Sequence, residues 1–142
     1  NSADLTVLGA KYLNAFYKHN ELYSNIKTVF TIHNIQYQGK YGTELYNDIL
    51  GLPQGAESIL EYDGCINLMK GAIQCSDKVT TVSPTYSQEI LRPEYSHGLD
   101  YILRHFTYKL TGIVNGIDTD VYNPETDNLI YKNYSCLDTL QQ

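Results

Sequence analysis

Three short runs rich in β-branched and aromatic residues punctuate the chain at Thr28–Ile32, Lys78–Val82 and Leu110–Val114. Between them, apolar positions recur at helical spacing, and this alternation predicts strands separated by helices. Leu5, Leu8, Tyr12, Leu13 and Phe16 form a helical stripe over Leu5–Tyr17, with Asp4 as its cap and a polar turn, His19–Asn25, after it. Thr28–Ile32 contains no glycine or proline and reads as a strand buried on both faces of a parallel sheet. Thr43–Leu50 predicts a short helix that Gly51 and Pro53 end, and a longer helix is expected from about Leu60 to Cys75, closed by Ser76 and Asp77. After the second strand, Ser83 and Pro84 make the strongest helix start in the chain: serine at the cap, proline at the first position, where no amide hydrogen is missed. That helix runs to about Leu91 and stops at Pro93. Gly98 precedes another short helix, Leu99–Phe106, and a loop from Asn115 to Asp127 follows the third strand.

Strands joined by connections this long have to run parallel, with right-handed crossovers. The fold class is therefore α/β. Three predicted strands make a thin sheet for a doubly wound domain, where five or six are usual, so the chain reads as part of a larger domain. It shows no internal repeat and no low-complexity linker.

Composition narrows the partners. The chain has 142 residues, 42% hydrophobic and 18% charged, with a formal net charge of −6, all ordinary for a soluble globular protein. Arg92 and Arg104 are the only arginines and the lysines are scattered, which argues against nucleic acid or an anionic membrane as partner. No apolar run is long enough to span a membrane and no leader is apparent. Cys65, Cys75 and Cys136 form no CxxC pair, which favours a reducing compartment over a disulfide framework or a zinc site. Cys65 and Cys75 share helical spacing with Leu68 and Ala72 and are expected in the core, with Asn67, Lys70 and Gln74 on the opposite, polar face. The 14 tyrosines, against three phenylalanines and no tryptophan, are the compositional oddity; tyrosine stacks on sugars and bonds hydroxyls, and it equally covers a core edge. Asn133-Tyr134-Ser135 spells a glycosylation acceptor that reads as chance.

The candidate chemistry lies where strands end. In Val29–Tyr41, VFTIHNIQYQGKY, the apolar run stops at His33 and Asn34 and passes into a glycine-marked loop. Ligands of open α/β sheets bind outside the carboxyl ends of strands, so His33 is placed to touch one, although the same position suits a structural histidine bonded to backbone. Thr81–Pro84, TVSP, offers a hydroxyl and free amides at a helix start, for which plain capping is the simpler account. Val114–Asp127, VNGIDTDVYNPETD, crowds amides and carboxylates into one loop, and its Asn115-Gly116 pair taken locally signals a hairpin turn. Asp118 and Asp120 have calcium-loop spacing, but Tyr122 occupies the third ligand position and no glutamate closes the loop, so no metal is expected. Neither a nucleotide-binding GxGxxG or Walker loop nor a GxSxG elbow is present.

The blocks VFTIHNIQYQG, INLMKGAI, SDKVTTVSPTYSQEI, HGLDYILR and LTGIVNGIDTDVYNPETD stand in an order and at a spacing that resemble bacterial glycogen synthases and plant starch synthases, from Lys27 to about Ser135. The resemblance implies a three-layer Rossmann-like parallel sheet with helices on both faces. Residues 1–142 would be the C-terminal part of the N-terminal catalytic domain, in an enzyme whose second Rossmann-like domain lies outside this chain. It implies glucose transfer from ADP-glucose to the non-reducing end of an α-1,4-glucan with retention of configuration, no cofactor, and a cytoplasmic setting, or a plastid in a plant. By the same resemblance His33 is the catalytic histidine beside the donor glucose and Asn115 a sugar contact. Tyr37, Gln38 and Gly39 match the acceptor side of the cleft, and Asn34 and Ser83 are carried over as substrate-binding. For Ser83, as for Gly98 and Asp118, which match family blocks too, packing is at least as good an account.

The chain also departs from the pattern. The glycine-rich KxGGL loop does not occur in it, an ungapped match puts Ala3 where the family carries a sugar-binding aspartate, and Tyr122 stands where tryptophan is common. The resemblance implies that the groups holding the diphosphate belong to the second domain, which would account for the scarcity of arginine and leads to the expectation that this chain alone does not catalyse transfer. Two other readings stay open: a non-catalytic glucan-binding or regulatory module of the same fold, and a related transferase using another sugar nucleotide.

Overall fold

Valine, isoleucine, threonine and phenylalanine favour extended backbone, and the three strands that they build form one parallel sheet in a computed structural model. The structure describes Gly9, Leu13, Tyr17–Asp48 and Glu57–Ser135. Most of the helix expected over Leu5–Tyr17, with its Asp4 cap, the Gly51–Pro53 stop and Cys136 lie outside the described residues. In chain order the elements are α1 (Glu21–Ser24), β1 (Val29–Ile32), β2 (Lys40–Tyr41), α2 (Leu45–Asp48), α3 (Glu57–Leu60), β3 (Glu61–Tyr62), β4 (Cys65–Asn67), α4 (Leu68–Cys75), β5 (Lys78–Thr81), α5 (Pro84–Glu89), α6 (Asp100–His105), a 3-10 turn (Thr107–Lys109) and β6 (Leu110–Gly112).

The parallel sheet has the order β1-β5-β6, with Phe30, Val79 and Leu110 in one row and Ile32, Thr81 and Gly112 in the next. Side chains in such rows share a face. This face is the core: Ile32 and Val79 pack with Met69 and Ile73 of α4, Ile90 after α5, and Leu99, Ile102 and Leu103 around α6. The opposite face presents Val29, Thr31, Lys78 and Thr111, all exposed. β1 is therefore not buried on both faces as expected. Val29 is 61% exposed, because a β-rich run declares extended backbone without declaring how many of its faces will be covered.

Asp77 pins the amino ends of β1 and β5 together. Its carboxylate accepts from the Thr28 amide at 2.8 Å and the Thr28 hydroxyl at 3.1 Å, with Lys18 Nζ 3.4 Å away. Those bonds, the Thr28 amide first, and the Lys18 charge hold its carboxyl below the ordinary range, although partial burial opposes them.

The single helix expected over Leu60–Cys75 is instead a hairpin followed by a helix. β3 and β4 pair antiparallel across Asp63-Gly64, and β2 adds to the other side of β4. Asp63 and Gly64 have φ of 54° and 73°, the left-handed backbone of a tight hairpin turn, for which Asp-Gly is a favoured pair. Asn67 then ends β4 and caps α4, its side chain accepting from the Lys70 amide at 2.9 Å. Cys65 consequently sits in a strand and not on a helical stripe; it and Cys75 are half-buried, while Asn67 and Lys70, expected on a polar face, are buried.

The far end of α4 is closed by a buried cation. Lys109 Nζ donates to the carbonyls of Ser76 at 2.7 Å and Gln74 at 3.0 Å and lies 4.6 Å from the centre of the Phe106 ring. A cation suits the negative end of a helix, while burial pulls the amine below its usual range.

Candidate functional site

Because Ile32, Thr81 and Gly112 share one row, the chain leaves all three strands at the same edge of the sheet. His33, Ser83 and Asn115 follow within three residues of that row. Strands lie about 4.8 Å apart, so the first and third exits are roughly 10 Å apart with the Ser83 exit between them. The row is tightly tied: Thr81 Oγ1 donates to the Ile32 carbonyl at 2.9 Å, and the Ile113 amide donates to the Thr81 carbonyl at 2.7 Å. His33, Asn34 and Asn115 are exposed beyond it.

Ser83 behaves as its sequence context predicts. Its hydroxyl accepts from the Tyr86 amide at 2.9 Å and its carbonyl accepts from the Ser87 amide, so Ser83 is the cap of α5. The half-buried hydroxyl is thus engaged by the helix. Gly112 approaches this cap closely: a β-carbon there would overlap the Ser83 carbonyl group and lie 2.5 Å from Pro84 Cα. The end of β6 and the start of α5 can meet only through glycine.

The loop after His33 is held from within and from outside. Asn34 Oδ1 accepts from the Gln36 amide at 2.9 Å, and the Asn34 carbonyl accepts from the Tyr37 amide at 3.3 Å, closing a turn. The Ile35 amide donates to the Tyr86 hydroxyl at 3.2 Å, which ties the loop to α5. Tyr37 is 68% exposed, whereas Gln38, 4% exposed, turns inward. The Gln38 carboxamide donates to the His97 carbonyl at 3.0 Å and accepts from Asn67 Nδ2 at 2.7 Å. Its own carbonyl and that of Gly39 receive the Met69 and Leu68 amides, the first free donors of α4. Gly39 has φ of 63°, the backbone that brings those carbonyls to the helix. Of the residues matched to substrate-binding blocks, then, Tyr37, Asn34, His33 and Asn115 face outward, Gly39 shapes the backbone, and the Gln38 side chain is directed away from the surface.

Asn67, Tyr86, His97 and Gly112 are the supporting residues that sequence reading passed over. Asn67 alone carried a local signal, an asparagine directly before a helical stripe. Beyond Asn115 the loop contains no hairpin: Asp118 Oδ1 accepts from the amides of Asp120 and Val121 at 3.0 Å each, an ordinary side-chain turn. Asn133 Nδ2 is likewise committed to the carbonyls of Pro124 and Asp127.

Among the described residues no three of His, Cys, Asp or Glu gather as a metal site, and no helix is long and apolar enough to cross a membrane. A cavity of about 200 Å³ lies between Thr43, Tyr46, Glu57, Glu61 and Ile66, and none of the strand-end residues lines it. The strand-end site is an open surface, able to bond neutral hydroxyl groups from an imidazole, two carboxamides and a tyrosine, and among the described residues the strand exits carry no lysine or arginine for an anionic one.

The profile of the family described as starch synthase catalytic domain matches residues 5–105. A glycogen synthase of Streptococcus agalactiae is 51% identical over 119 residues, covering 81% of this chain and 25% of the relative. One from Desulforamulus reducens is 47% identical over 126 residues, covering 87% of this chain and 26% of the relative. Among solved structures, the catalytic domain of starch synthase IV from Arabidopsis thaliana, bound to ADP and acarbose, superposes with a TM-score of 0.73 at 33% identity over 90% of this chain and 27% of that one. The chain thus spans about a quarter of the length of the relatives that it matches.

Proposed function

The chain belongs to the starch synthase catalytic domain family, and on that footing we propose that it supplies the C-terminal part of the N-terminal domain of a retaining glucosyltransferase. The reaction is transfer of glucose from ADP-glucose to the non-reducing end of an α-1,4-glucan. One observation carries this reading: three parallel strands end in register, and their exits put His33, Ser83 and Asn115 along one edge. A gap of roughly 10 Å between the outer exits, from the strand spacing, suits one pyranose bonded from both sides. ADP and an oligosaccharide bound to the Arabidopsis relative support the choice of donor and acceptor.

The chemistry divides accordingly. Transfer passes through an oxocarbenium-like state, and fixed hydrogen-bonding groups that meet the sugar more strongly in that state than in the ground state lower the barrier. His33, through its imidazole or its backbone carbonyl, and Asn115 hold the donor glucose; Tyr37 faces the acceptor chain. A second Rossmann-like domain of a longer protein brings the cations for the diphosphate, consistent with the exit edge offering none. A cytoplasmic or plastid setting accords with three cysteines that form no CxxC pair.

The chain by itself is expected to give no incorporation of labelled glucose from ADP-glucose into glycogen, and incorporation above background would overturn this division of labour. In the longer protein, His33→Ala should lower kcat on the order of 10²-fold while leaving the donor KM much less changed, because the contact strengthens in the transition state. An unaltered kcat would make His33 a structural residue.

A further inference from the structure

Two non-glycine residues among those described have positive φ, Asp63 at 54° and His97 at 49°. Asp63 is accounted for by its hairpin turn. His97 belongs to no hairpin, and a histidine in this region costs roughly 1 kcal/mol or more unless its surroundings impose it.

Here they do, from three directions. The Gln38 carboxamide donates to the His97 carbonyl, and the Tyr62 hydroxyl donates to the Gly98 carbonyl at 2.7 Å. Ser96, wholly buried, accepts from the Gly98 amide and donates to Asp100, both at 3.2 Å. Glycine at position 97 would form the same turn without strain. What histidine adds is an exposed side chain on a turn whose backbone is held, two residues after the half-exposed Tyr95. Tyr37, immediately before Gln38, is exposed as well, and the bond from Gln38 to His97 brings its loop to this turn. Tyr95, Ser96, His97 and Gly98 carry no carboxylate or ammonium, and Asp100 beside them is engaged by Ser96 and Arg104, so the tip suits a neutral, hydroxyl-rich ligand: tyrosine rings cover the apolar faces of pyranoses, and an imidazole bonds their hydroxyls.

We propose that the Tyr95–Gly98 turn is a contact site for an α-1,4-glucan chain, in which His97 bonds sugar hydroxyls, Tyr95 and Tyr37 flank the chain, and Gln38 fixes the turn relative to the Tyr37 loop. The proposal rests on the glucan-elongating function above and extends its acceptor side beyond the strand-end edge.

The test is a titration of the isotope-labelled 142-residue chain with maltoheptaose, followed by NMR at His97, Tyr95, Tyr37, His33 and Asn115. Signals of His97, Tyr95 and Tyr37 should shift together with one dissociation constant. His97→Gly, which keeps the turn and removes the imidazole, should weaken that constant at least fivefold with no loss of thermal stability. An unchanged constant in this variant overturns the proposal. Shifts confined to His33 and Asn115 also overturn it but leave the glucan function standing, whereas no shift anywhere up to tens of millimolar overturns both.

Discussion

Replacing Gly112 by alanine tests the packing that sets the edge of the site. The added methyl group would overlap the Ser83 carbonyl and sit 2.5 Å from Pro84 Cα, where carbon atoms prefer about 3.5–4.0 Å. Neither neighbour is a flexible side chain; both are backbone at the start of α5. Relief therefore requires strand and helix to separate by roughly an ångström. Overpacking of this kind costs about 1–3 kcal/mol. Moving the end of β6 also strains the 2.7 Å bond from the Ile113 amide to the Thr81 carbonyl, worth about 1 kcal/mol. The expected loss is about 2–4 kcal/mol, a large part of the stability of a small domain. In urea unfolding with a slope of about 2 kcal/mol per molar, the midpoint should fall by about 1–2 M. Gly116→Ala is the control. A β-carbon at Gly116 meets nothing within 4 Å, and its midpoint should stay within about 0.3 M of the parent chain. If Gly112→Ala also stayed within that range, the close approach of β6 to the α5 cap would be refuted.

Other expectations concern the same framework. Gln38→Leu removes a partner from both the buried Asn67 side chain and the His97 carbonyl and should cost about 2–4 kcal/mol; with Asn67→Leu the two losses should couple by more than about 0.5 kcal/mol in a double-mutant cycle, and strict additivity would deny the network. Tyr86→Phe removes the hydroxyl that receives the Ile35 amide and should speed hydrogen exchange at that amide while costing about 1 kcal/mol in global stability; unchanged exchange would free the His33 loop from α5. Asp77 has a folded pKa below its unfolded one, so its stabilisation is complete above the unfolded value near 3.8 and is lost as pH falls through the folded value. Asp77→Asn should accordingly be about 1–2 kcal/mol less stable than the parent at pH 7, with the gap closing below about pH 4; a gap independent of pH would contradict the carboxylate's role.

Much of this frame was legible before any coordinates. The Ser83-Pro84 helix start is local chemistry, and capping geometry follows from two adjacent residues. The three parallel strands follow from composition together with connection length. The Leu60–Cys75 segment misled because Leu68 and Ala72 extend a helical stripe back to Cys65, while the hairpin signal at Asp63-Gly64 occupies only two positions. Gln38 misled for a different reason. In a polar loop marked by glycine, a glutamine reads as facing water, and its partners lie 29 and 59 residues away, beyond any local pattern. The same distance hid the constraint on Gly112, whose close neighbour Ser83 belongs to another element. His33 was singled out where an apolar run stops, and that logic needs only the strand boundary, not the tertiary contacts; Asn115 was singled out by the family resemblance of its block, since its local signal is a hairpin turn.

Helix α4 can be viewed as a spacer bar. Its eight residues give it an axial length of about 12 Å. At one tip it grips the carbonyls of the segment that trails His33; at the other, Lys109 clasps it just where the chain sets off toward Asn115. Descending helix and ascending strand thus complete a rigid circuit between the imidazole and the distal carboxamide. Slack anywhere along this bar would emerge as play in the gap between the His33 and Asn115 exits, across which the proposed function has a sugar held.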